Sequence, residues 1–224
     1  RVLMTFPGVF TGIGEFTIHK EFVAAKIPGS TASLDDPALD RIFDFTAETG
    51  LVVLIHNDID IPFAKEGAEP AYLDQMKALL KRHSNTTIIW AHMGLGRTVR
   101  PSTNFYQQME KILEDPAFGH VYFDISWTEA AKYLVANPET TKMTANLIEH
   151  YPDRFLFGTD AAAPKDQSEY LKVYIQYDPL WKLLSEQTIR KVRLTNYERI
   201  FDEGRRKVRS WEGSHSMKHR PSNS

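Results

Sequence analysis

The chain has 224 residues, 42% hydrophobic and 12% aromatic, enough for one α/β domain with a sizeable core. Its 27 Lys and Arg stand against 29 Asp and Glu, and a net charge of −2 gives no electrostatic case for a nucleic-acid partner. Cysteine is absent, which excludes disulfides and thiolate chemistry, and no run approaches the roughly 20 apolar residues that cross a bilayer.

Residues 1–9 read as the end of a helix and its loop, broken at Pro7 and Gly8. The chain opens on Arg1 with no signal peptide; a cytoplasmic location is the expectation, with room for a targeting segment upstream. A strand closing on Glu15 follows, then a long loop from His19 to Leu34. Asp36 and Pro37 open a helix with Leu39, Ile42, Phe43 and Thr46 as its buried stripe, and Gly50 ends it. A polar loop from Asn57 to Pro70 precedes a helix over Ala71 to His83. Met93 to Arg97 is a glycine-rich turn whose spacing matches no phosphate-loop fingerprint. Helices are expected over Phe105 to Glu114, Trp127 to Ala136 and Glu139 to His150, with Asn137 and Pro138 between the last two. Three shorter helical pieces fill 170–192. Residues 1–202 thus form one domain; 203–224, rich in Lys and Arg, lack apolar periodicity and are expected to be an extended or disordered tail.

One pattern recurs. Apolar runs close on a chemically capable residue at Glu15, His56, His92, Asp124 and Asp160, roughly 32 to 41 residues apart, the length of a strand, a helix and two loops. Phe155 to Gly158, just before Asp160, is the sort of short apolar run a parallel strand buried on both faces requires. Repeated βα units argue for a (β/α) barrel or part of one, where ligands gather at the C-terminal strand tips. Two imidazoles and two carboxylates converging there suit zinc or a neighbouring divalent metal, and bound water then approaches a pKa of about 7. His56 is a candidate metal ligand, and Asp160 a candidate ligand and proton acceptor. His92 would bind a second metal or orient the attacking water, and Glu15 could bridge two metals.

Each residue has a plainer reading. His56 or His92 could be a hydrogen-bonded structural histidine, Glu15 could hold Lys20 or Lys26, and Asp160 could cap the following turn. Asp124 is expected to orient a ligand histidine or to be a turn acid. His83, His120 and His150 fall on the opposite, stabilising face. From position just past strand tips, His19, Asn57, Arg97 and Trp127 are candidate substrate contacts. Arg97 would suit a carboxylate or phosphate, or a surface ion pair; Trp127 would stack on a ring or cover the core.

The runs Leu51 to His56, Thr86 to Gly94 and Phe155 to Asp160, closed by Asn196-Tyr-Glu-Arg-Ile-Phe201, resemble the amidohydrolase superfamily. The branch that includes aminocarboxymuconate-semialdehyde decarboxylase is the nearest, and Gly-Ile-Gly-Glu15 is similar to the fourth-strand glutamate of TatD-type hydrolases. The resemblance implies a distorted (β/α)8 TIM barrel and a mono- or binuclear metal site, with His56, His92 and Asp160 on strands five, six and eight. The family's first-strand His-x-His occurs nowhere in the chain, and counting back from Asp160 sets strands one to three ahead of Arg1. The expectation is a metal-dependent hydrolase of an amide, ester, lactone or phosphoester bond. A non-oxidative decarboxylase or an inactive binding module are the alternatives. Zinc is the first choice of cofactor and manganese the second. The partners are a small-molecule substrate and either a second copy or the remainder of the barrel, since unpaired edge strands invite association.

Overall fold

The computed structural model describes residues 1–20 and 32–218, and most of the loop expected from His19 to Leu34, with Lys26, lies outside them. Among the described residues, five parallel strands form one sheet in the order β1-β2-β3-β4-β5. They are β1 (Gly12–Thr17), β2 (Val52–His56), β3 (Ile88–Trp90), β4 (Val121–Asp124) and β5 (Phe155–Leu156). Consecutive strands are neighbours, so every connection is a βα crossover. Helices α1 (Val2–Thr5), α2 (Pro37–Thr49), α3 (Leu73–Arg82), α4 (Phe105–Glu114), α5 (Thr128–Leu134) and α6 (Pro138–His150) precede or join them. Past β5 come α7 (Gln167–Gln176), α8 (Asp178–Trp181), α9 (Glu186–Arg190), a π-helical turn over Lys191–Thr195, and α10 (Asn196–Lys218).

Local chemistry sets the helix boundaries. Asp36 accepts from Ala38 N at 2.8 Å to cap α2, and Gly50 ends it in the left-handed conformation. Asn137 and Thr140 form a reciprocal capping box at the start of α6, with Pro138 in its first turn. Strand alternation then divides the sheet into two faces. Val53, Ile55, Ile88, Trp90, Phe123 and Phe155 point to one face and pack beneath α2, α3, α4 and α6 in the main core. His83 and His120 lie at the other end of the units. His83 Nε2 is 2.8 Å from Asp40 and His120 Nε2 is 3.0 Å from the Leu80 carbonyl, which are stabilising contacts as expected of that end.

Val52, Leu54, Ile89, Tyr122 and Leu156 occupy the opposite face, the one that a closed barrel turns inward. Here α10 lies against it, with Ile200 and Phe201 packed on those residues. Asn196, fully buried, donates from Nδ2 to the Pro152 and Phe155 carbonyls at 2.8 Å and so ties the start of α10 to β5. Farther along, Val208 is buried with Leu3 and Leu51, and Glu212 accepts from Gly8 N at 3.1 Å. The disordered tail expected from residue 203 is therefore corrected: the helix runs unbroken across 202 to Lys218, and residues 219–224 lie outside the described part. Ile200, Gly204, Val208 and Glu212 recur every four residues, and this stripe is buried despite the charges around it.

Candidate metal centre

Period-two alternation along β2 puts His56 on the same face as Val52 and Leu54, at the C-terminal tip and almost wholly buried. Its Nε2 lies 3.0 Å from Asp58 Oδ1. Because Asp58 is an acceptor, Nε2 carries the proton of the neutral ring, and Nδ1 is left with its lone pair. Nδ1 sits 3.0 Å from Glu15 Oε1, yet it is buried without a hydrogen-bond partner, so proximity and hydrogen-bond alignment part company here.

Glu15 reaches that position through an irregularity in β1. Ile13 pairs with Val53 and Phe16 with Ile55, so Gly14 and Glu15 together oppose Leu54. This extra residue is a β-bulge, a device that re-aims side chains. Only glycine fits the first bulge position: Gly14 has φ +139°, and a Cβ there would stand 2.3 Å from the Leu54 carbonyl oxygen. Glu15 also meets Lys20 Nζ at 3.2 Å, so the plainer reading of an ion pair with Lys20 is present alongside the contact with His56. The close approach of His56 leads the influences that pull the Glu15 carboxyl down to about 2, against burial. For His56, burial works to lower the ring, but Asp58 and Glu15 outweigh it and the net direction is up.

His92 stands two residues past β3, where the chain turns sharply. His92 and Met93 both adopt left-handed backbone angles, φ 56° and 53°. Such a conformation costs on the order of 1 kcal/mol or more for a side-chain-bearing residue and persists where packing over-determines it. Gly94 continues the turn against Trp90 and Ile59, where a Cβ would meet the Ile59 side chain at 2.4 Å; the glycine-rich turn is a packing feature. His92 Nδ1 faces the Ser126 carbonyl at 3.2 Å and Asp124 Oδ2 at 3.3 Å. Both are acceptors, so Nδ1 holds the proton and the buried Nε2, without a hydrogen-bond partner, presents a lone pair. Asp124 is itself held by Ser126, whose Oγ donates to Oδ2 at 2.6 Å.

One candidate ligand atom from each of Glu15, His56 and His92 falls within 4.8 Å of the others. Two donors on a single zinc stand roughly 3.3 Å apart at ordinary bond lengths, so the cluster is of the right size. Asp160 belongs to no such group among the described residues, but its Oδ2 lies 3.7 Å from His92 Nε2. Burial raises the Asp160 carboxyl, the neighbouring His92 opposes this, and Glu15 adds to it.

The four expected substrate contacts land differently. Trp127, at φ 84°, lays its ring 4.9 Å from that of His92 and 6.2 Å from that of His56, covering both histidines. His19 stacks on Tyr72 with ring centroids 3.7 Å apart; its Nε2 is buried and unpartnered, and burial lowers its pKa. Asn57 is fully buried and spends its amide on the loop itself, accepting from His19 N and donating to the Asp58 carbonyl. Arg97 is exposed and pairs with Glu129 at 3.5 Å, the surface ion-pair alternative. Sequence reasoning missed Asp58 and Ser126. Asp58 sits two residues past His56, a spacing that could have marked it as a partner of that ring, whereas nothing local to Ser126 marks it.

A cleft of about 260 Å³ opens beside this cluster and takes in Glu15, His92, Asp124 and Asp160. The sequence model of the amidohydrolase family matches residues 19–202. The chain belongs to the amidohydrolase family. Within the match lie His56, His92, Asp124 and Asp160, while Glu15 stands just ahead of it. No curated protein matches the chain. Among solved structures, dihydroorotase from Campylobacter jejuni aligns with a TM-score of 0.56 at 14% identity, over 83% of this chain and 57% of that one. An uncharacterised TIM-barrel protein from Bordetella bronchiseptica aligns with a TM-score of 0.51 at 16% identity, over 79% and 54%. These likenesses establish the fold, that of a partial TIM barrel, and the chain spans a little over half the length of each structure. Among the described residues of this family member, no helix is long and apolar enough to cross a membrane.

Proposed function

We propose that the chain carries the metal-binding part of a hydrolase that cleaves an amide, ester, lactone or phosphoester bond in a small molecule. One observation carries the reading: two buried imidazole nitrogens, His56 Nδ1 and His92 Nε2, lack hydrogen-bond partners while clustered with the Glu15 carboxylate. Two nitrogens and one oxygen are a donor set that suits zinc, with manganese as the second choice. A divalent cation held by them supplies Lewis acidity toward a carbonyl or phosphoryl oxygen and lowers the pKa of water towards neutrality.

The chain's own groups do the rest. Asp58 and the Asp124–Ser126 pair fix the tautomers of His56 and His92, the usual office of acceptors behind ligand histidines. Asp160, with 39% of its side chain exposed and its carboxyl raised, is the proton acceptor at the open side of the cluster. Trp127 keeps water from the covered side of both rings. The test is metal content after incubation with zinc or manganese and removal of excess, with release of acid and of carbon dioxide followed over a panel of ester, amide and carboxylated compounds. About one equivalent of metal, lost in His56→Ala and His92→Ala, is the expected result. Retention under about a tenth of an equivalent overturns the reading, and carbon dioxide release turns it to decarboxylation.

A further inference from the structure

A second cleft, of about 460 Å³, opens between the loop after β2 and the loop after β3 and shares no lining residue with the one at the cluster. Strands β2 and β3 each have both neighbours in the sheet, so this cleft stands away from the edges at β1 and β5. Backbone bonds tie the two loops together: Ile59 N donates to the Gly94 carbonyl at 2.8 Å and Phe63 N to the Thr98 carbonyl at 3.2 Å. Two acids, Asp60 and Glu66, and two bases, Lys65 and Arg100, line the cleft. Asp60 is only 8% exposed, and its Oδ1 accepts from Ile61 N at 2.8 Å and Ala71 N at 3.1 Å. Among the described residues no donor meets Asp60 Oδ2, and the exposed Arg100 guanidinium has neither an acid nor a carbonyl partner.

We infer that this cleft binds a small zwitterion of the amino-acid class, its ammonium on Asp60 and its carboxylate on Arg100. A carboxylate buried as deeply as Asp60 is costly unless its lone pairs are met, and a compact ammonium with three donors meets those left on Oδ2. A guanidinium offers a carboxylate two parallel donors. Thr98 lines the cleft as well, and its buried, unpartnered Oγ1 is a further donor for that end. Asp60 and Arg100 face one cleft without pairing to each other, so a ligand carrying both charges spans the space that keeps them apart. A plain anion or cation would satisfy one group and leave the other bare. Lys65 and Glu66, both exposed, add one charge of each sign and favour neither. The inference goes beyond the hydrolase reading and draws on no metal.

The test measures binding of glycine, β-alanine and γ-aminobutyrate to the metal-free full chain by ligand-observed NMR or calorimetry, with acetate and methylammonium as the single-charge halves. The zwitterions differ in charge separation and so sample the spacing between Asp60 and Arg100. At least one is expected to bind in the millimolar range, about tenfold or more tighter than either half. Arg100→Gln is expected to weaken that ligand by about tenfold and to leave thermal midpoint and zinc uptake unchanged. Asp60→Asn keeps an oxygen for the two backbone donors while removing the charge, and a loss of similar size is expected. The inference is overturned if no zwitterion binds at about 10 mM, if acetate or methylammonium binds as tightly, or if Arg100→Gln binds like the wild type. Arg100 is exposed and unpaired among the described residues, so its variant decides the matter even if Asp60→Asn does not fold.

Discussion

Glu15 Oε1 and His56 Nδ1 lie 3.0 Å apart with no hydrogen bond aligned between them. If the ring is neutral with its proton on the Asp58 side, two lone pairs face each other across that gap. A proton or a cation must lie between them for the arrangement to be favourable. Replacing Glu15 with Gln removes the negative charge that draws either one in. Zinc affinity is expected to fall by tenfold or more, and the His56 titration, followed by NMR of the ring protons, to move down.

The same gap sets a pH dependence. His56 has a raised folded pKa, so without metal its charged form stabilises the fold fully below the ordinary value near 6.5, and that contribution is lost as pH rises through the raised value. His19 and His120, lowered by burial, act with the opposite sign, and their contribution is lost as pH falls. The difference in stability between the wild type and His56→Asn therefore isolates the first effect. Without metal it should shrink from pH 6 to pH 8, and zinc should restore it at pH 8. A difference independent of pH would remove His56 from this role.

Gly14 makes the bulge that aims Glu15. Gly14→Ala sets a Cβ 2.3 Å from the Leu54 carbonyl at φ +139°, so the backbone must move. A loss on the order of 1–3 kcal/mol by urea unfolding is expected, together with weakened zinc uptake. Gly213, in α10, has open space for 4 Å around the place a Cβ would take, and it is the control: its Ala variant should be neutral or slightly stabilising.

Val208 tests the helix that sequence alone leaves disordered. It is fully buried against Leu3 and Leu51, so Val208→Ala should cost on the order of 2 kcal/mol in chemical denaturation. An effect near zero would mean that α10 does not pack there in solution.

The strand tips were legible in the residues themselves. Apolar runs ending on His56 and Asp124 marked two strand tips, because side-chain direction along a strand is a local property; His92 shares the parity of Trp90, which faces the main core, and reaches the cluster through the left-handed turn at His92 and Met93. Even Asp124 could be read as an orienter of a histidine, and it stands 3.3 Å from His92 Nδ1. What only the tertiary structure decided depends on register and on which distant surface meets which. Glu15 owes its aim to a bulge measured against β2, a mismatch invisible in β1 alone. Asn57 and Arg97, both just past strand tips, turn instead to the loop and to Glu129, since position after a strand does not fix where a long side chain finds its partner. The charged stretch after 202 holds its helix because Ile200 and Val208 bury apolar surface against remote parts of the chain, a gain that no local window of sequence contains.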